Sequence, residues 1–117
     1  MEINSKNILE ELQGNWNCTE INDSSKQESI NYSFSLLISE NLISCNGDKN
    51  EYWPSICNFE SVGSLKDGYF YREDGSFLQI KSLIDNKLQI ELSFKNENGD
   101  INPVLFQFKK ELEETIY

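Results

Sequence analysis

Three cysteines, a single arginine and twenty carboxylates are the residues through which this 117-residue chain could most readily do chemistry, and no histidine accompanies them. Without histidine there is no Ser–His or Cys–His pair and no base poised near neutral pH. The commonest zinc ligand is missing as well. Cys18, Cys45 and Cys57 lie too far apart for a Cys-x-x-Cys pair, and an all-thiolate zinc site needs four. An odd number of cysteines also argues against a disulfide framework, so they read as small apolar side chains within strands. Asp67, Glu73 and Asp74 fall in neighbouring turns. A glycosidase-like acid and base would need one of them buried with a raised pKa, whereas turn carboxylates are ordinarily exposed. Asn96-Glu97-Asn98-Gly99-Asp100 spaces oxygen ligands as a calcium loop does, but no glutamate follows at the twelfth loop position and the run reads as a hairpin turn. The chain is therefore expected to be no enzyme and to carry no metal and no cofactor.

What remains is binding. Arg72 follows Tyr69, Phe70 and Tyr71. Pointing into a barrel, its guanidinium would grip a ligand carboxylate with two hydrogen bonds. Pointing outward, it would lie over a tyrosine or pair with Glu73, the more ordinary arrangement. Tyr52-Trp53-Pro54 is an aromatic loop that could line a barrel mouth, act as a hot spot for a partner, or pack on the core as a lid.

Net charge is −10, which makes direct contact with nucleic acid or an anionic membrane unfavourable. The charge is uneven. Residues 1–60 hold ten acids against Lys6, Lys26 and Lys49, giving −7, and residues 61–117 hold ten acids against seven bases, giving −3. A basic protein partner would meet the first half at Glu20, Asp23, Glu28, Asp48 and Glu51, beside Tyr52 and Trp53; acidity that merely maintains solubility is the plainer account. No apolar run approaches a membrane span, and the first residues show no hydrophobic signal region, so the expected location is cytoplasmic, with export only if a signal had been removed.

The elements that must position these residues are strands. The chain contains no alanine, while Ile, Phe and Tyr are frequent. Ile8, Leu9 and Leu12 recur at helical spacing, and Gly14 stops the pattern, so residues 5–13 form a short helix. From Trp16 the period is two. Tyr32, Phe34, Leu36 and Ile38 alternate with polar residues or Leu37. Leu88, Ile90, Leu92 and Phe94 alternate with Lys87, Gln89, Glu91, Ser93 and Lys95, and Val104, Phe106 and Phe108 close the series. Short strands separated by Asx-Gly turns predict an all-β, antiparallel, up-and-down barrel of roughly eight strands over residues 14–110, with a tail at 111–117, all within one domain.

Leu12-x-Gly14-x-Trp16 after a short helix resembles the opening of the lipocalin-like superfamily, in particular its short bacterial domains. The second half is similar too: Gly68-Tyr69, Asp74-Gly75, Leu78-x-Ile80-x-x-Leu83 and Leu88-x-Ile90. The resemblance implies a barrel floored by Trp16 that binds a small hydrophobic ligand; from the residues themselves, Arg72, Tyr69, Tyr71 and Trp53 are the candidates to hold it. The family's arginine over the floor tryptophan is replaced by Lys109 or Lys110, and the Arg-x-Tyr pair of fatty-acid carriers is absent. Two functions follow: a non-enzymatic lipocalin-like binding protein, or an acidic protein-interaction module such as a toxin-immunity protein or a phage-type inhibitor of a defence enzyme. Interior volume separates them, because a barrel filled by its own side chains cannot admit a ligand.

Overall fold

Alternation of apolar and polar residues closes on itself as an antiparallel barrel in which each strand pairs with the next and the last with the first. The computed structural model describes residues 5–23, 32–61, 68–95 and 99–111. A helix, α1 (Ser5–Leu12), precedes β1 (Gly14–Asp23), β2 (Phe34–Ser39), β3 (Leu42–Gly47), β4 (Ile56–Ser61), β5 (Tyr69–Arg72), β6 (Phe77–Ile84), β7 (Lys87–Lys95) and β8 (Ile101–Lys110). This is the eight-stranded up-and-down barrel that the sequence pattern predicts. Among the described residues no helix is long and apolar enough to cross a membrane.

The inward faces follow the two-residue period. Phe34, Leu36 and Ile38 on β2, Leu88, Ile90 and Leu92 on β7, and Val104, Phe106 and Phe108 on β8 are all buried. Two β-bulges interrupt it. The β1–β8 register shifts between Cys18 and Glu20, so Trp16 faces in before the bulge and Asp23 faces in after it. An extra residue on one strand moves every later side chain to the opposite face. Glu20 consequently points outward. A second shift, between Ile80 and Ser82 on β6, explains the Leu78-x-Ile80-x-x-Leu83 spacing: Leu83 returns to the core side one position late.

Buried side chains from outside the strands cover the core at each end. At one end Ile8 and Leu12 of α1 pack over Trp16, whose indole N–H donates to the Leu12 carbonyl at 2.7 Å. The Lys110 ammonium stands 5.5 Å from the centre of that indole, where the resemblance leads one to expect an arginine. The β6–β7 turn lies at the same end; Asp85 and Asn86 both have positive φ, as a two-residue type I′ hairpin requires. At the opposite end, Gly47 has φ +114 where β3 leaves the barrel, and a Cβ there would sit 2.5 Å from the Ser33 carbonyl oxygen. Only glycine permits that approach, and it starts the loop that caps this end.

Candidate functional site

The cap is the segment between β3 and β4, and Asn50 shapes it. Its Oδ1 accepts the backbone N–H groups of Tyr52 (3.0 Å) and Trp53 (2.8 Å), an Asx-type turn that folds both rings inward. The rings land on β8: Tyr52 lies 5.3 Å and Trp53 5.4 Å from Phe106, both edge to face. Phe34 and Phe108 complete the cluster. Tyr52 is 1% and Trp53 3% exposed, while Leu36, Leu92, Val104 and Phe106 show no surface to a water-sized sphere. The described interior around these side chains is therefore filled, and the aromatic loop is a lid.

Two polar clusters fasten this lid. The Tyr52 hydroxyl donates to Asp23 Oδ2 at 2.7 Å, and Asn102 donates to Asp23 Oδ1 at 3.0 Å. Burial, and then the adjoining Asp23 carboxylate, raise the Tyr52 pKa well above the usual phenol range. The second cluster centres on Arg72, 5% exposed. Its Nη1 donates to the Tyr52 carbonyl at 2.6 Å, and its Nη2 to Ser76 Oγ at 3.0 Å. Nε and Nη2 together clasp Asp74 at 3.2 and 2.5 Å. The guanidinium also lies 5.2 Å from the centre of the Trp53 ring. Burial by itself would raise the Asp74 pKa, but the hydrogen bonds from Arg72 and the Ser76 backbone outweigh it and leave it below the ordinary carboxylate value.

Arg72 is thus turned away from solvent, and among the described residues its ionic partner is Asp74, not Glu73. Glu73 accepts the Asn58 N–H instead. Of the four residues expected to hold a ligand, the barrel brings together only Arg72 and Trp53. Tyr69 and Tyr71 share β5 with Arg72 but alternate to its outer face, where each packs on Phe77, at 5.3 and 4.9 Å. Of the acids expected to meet a partner, Glu20, Asp48 and Glu51 are exposed. Asp48 accepts the Ser33 N–H, and Glu20 accepts from Gln107 across the β1–β8 pair. Asp23 is turned inward by the β1 bulge and takes part in the lid. Glu28, like Asp67 and the 96–98 part of the proposed calcium loop, lies outside the described residues.

Among the described residues no group of metal-ligating side chains converges. All three cysteines are free, and burial raises each thiol, Cys18 to about 11. A thiolate is the reactive species, so a thiol reagent at pH 7.5 is expected to label the native protein slowly and to titrate all three cysteines only after denaturation. Rapid native labelling of Cys57 would contradict its burial.

Two depressions open among the described residues, one at the helix end and one on the outer wall. One, of about 370 Å³, is lined at the helix end by Glu11, Trp16, Leu83, Ile84, Asp85, Asn86 and Lys110. The other, of about 260 Å³, lies between Asn22, Asp23, Glu91, Pro103 and Leu105. No protein-family model, curated protein or solved structure matches the chain, so its function is inferred from this geometry and from the residues themselves.

Proposed function

We propose that this chain is a non-enzymatic, acidic protein-interaction module built on a closed lipocalin-like barrel, acting on a basic protein partner as an immunity protein or an inhibitor does. One observation carries the reading: the interior at the lidded end is occupied by the chain's own rings, with Tyr52 and Trp53 almost wholly buried. The two inward residues that suit a ligand, Arg72 and Trp53, are engaged with the lid itself. Recognition then falls to the outside, where the net charge of −10 favours a basic partner. Three free thiols accord with a reducing, cytoplasmic setting.

A second reading, a barrel for a small hydrophobic ligand, is supported by the Trp53 Nε1–H, which is buried without an acceptor. A ligand bearing an acceptor would satisfy it once the lid had moved. The two readings part experimentally. An interaction module is expected to leave the fluorescence of an apolar dye such as anilinonaphthalene sulfonate unchanged at neutral pH. Its association with a purified basic partner should slow as salt rises and as Asp48 and Glu51 are reversed to lysine. One dye or fatty acid bound per native chain, or association indifferent to salt and to the reversals, would refute it.

A further inference from the structure

The outer wall from β5 to β8 carries two neighbouring rows of residues set by the strand registers. One runs Tyr71, Phe77, Ser93, Pro103, with Glu60 opposite Tyr71 on β4. The other runs Tyr69, Gln79, Glu91, Leu105 and ends at Asn22 of β1. Tyr71 is 49% exposed although it packs edge-on against Phe77. Ser93, the smallest member, falls between Phe77 and Pro103, so the first row dips at its centre. Beside that dip opens the 260 Å³ depression, with Pro103 and Leu105 as its apolar members and Glu91 as its outward carboxylate. Its volume lies below the roughly 300–1,000 Å³ of pockets that take whole small molecules. It is sized for one side chain.

We propose that this wall is the docking surface of the module, and that the depression between β7, β8 and the end of β1 receives an arginine side chain of the protein partner. The proposal rests on the interaction reading above and gives it a place and a chemistry. Apolar members would cover the stem of the arginine and Glu91 would meet its cation. The only cation paired with Glu91 among the described residues is Lys81, at 3.8 Å on an exposed surface. Such a solvent-exposed pair is weak and is readily exchanged. A guanidinium fits better than an ammonium because it is planar, binds a carboxylate through two N–H groups and stacks on apolar faces. The exposed ring of Tyr71, backed by half-buried Phe77, supplies the kind of aromatic contact on which protein interfaces concentrate their affinity. Phosphate-bearing partners are disfavoured by the same carboxylate and by the net charge of −10.

The probe is a blocked tripeptide, acetyl-Leu-Arg-Leu-amide, titrated into ¹⁵N-labelled protein at low ionic strength and compared with its neutral citrulline counterpart. Amide shifts are expected to centre on Asn22, Glu91, Ser93 and Leu105 for the arginine peptide and to be absent for citrulline. Glu91→Gln should weaken the arginine peptide about three- to fivefold, the range of a partly exposed ion pair, while Glu51→Gln leaves it unchanged. Equal shifts with citrulline, shifts centred on Asp48 and Glu51, or indifference to Glu91→Gln would overturn the site. So would a dimer in solution that Tyr71→Ala dissociates, since the wall would then belong to a second copy. A basic partner whose binding depends on salt but ignores Glu91 and Tyr71 would refute this surface and leave the interaction reading standing.

Discussion

Truncating Trp16 to alanine is expected to lower the unfolding free energy by roughly 3–5 kcal/mol, the range for large aromatic-to-alanine changes in a core. Trp16 is 1% exposed and fills the helix end of the barrel beneath Ile8 and Leu12. Its N–H is the hydrogen bond that holds the last turn of α1, through the Leu12 carbonyl, against the floor. Alanine would remove the ring, leave that carbonyl without this donor, and strip the support from under the Lys110 ammonium. Trp16→Phe separates these effects. It keeps much of the packing and loses the donor, so it should cost about 1–2 kcal/mol, the worth of a buried hydrogen bond and its unmade partner. Urea denaturation followed by far-UV circular dichroism measures both. A midpoint for Trp16→Ala within error of the parent would show that the floor does not depend on the indole.

The barrel was legible because its strands alternate strongly and the turns between them carry positive-φ residues. The helix, read as 5–13, spans Ser5–Leu12, and the barrel, read as 14–110, spans Gly14 to Lys110. Trp16 as the floor was legible from its glycine two residues earlier. The bulges were harder. At Cys18 to Glu20 there is no glycine to mark one, and without it the period places Asp23 outside. The division of β5 was within reach: once Phe70 is inward, Arg72 must share its face and Tyr69 and Tyr71 must take the other. Tyrosine obscures this, since its ring suits a core and its hydroxyl suits water. The lid was not legible beyond its aromatic composition. Burial of Tyr52 and Trp53 depends on Asp23, Arg72, Asn102 and Phe106, all remote in sequence. Only the Asp74-x-Ser76 turn that clasps Arg72 left a local sign, an Asx turn in which Asp74 accepts the Ser76 N–H at 3.0 Å.

Replacing Arg72 with methionine should lower stability by about 3 kcal/mol and, more tellingly, open the lid. Removing one member of a buried ion pair typically costs about 3–5 kcal/mol. The lower end applies here because Asp74 is 41% exposed and can be rehydrated. Methionine keeps the length and apolar contact against Trp53 but leaves the Tyr52 carbonyl and the Ser76 hydroxyl without their donor. Hydrogen exchange at the Tyr52 and Trp53 amides should accelerate more than at β7, because the loss is local to the cap. The pH response supplies an independent check. The folded Asp74 pKa lies below its ordinary 3.8, so its ionised form is favoured by folding. Its contribution is therefore complete above the ordinary value and disappears as pH falls through the depressed one. Parent protein should lose part of its stability over that acid range, and Arg72→Met should lose less there, having no guanidinium to hold the carboxylate ionised. Equal acid sensitivity in the two proteins, with unchanged exchange at Tyr52 and Trp53, would mean that the lid is held by its rings alone.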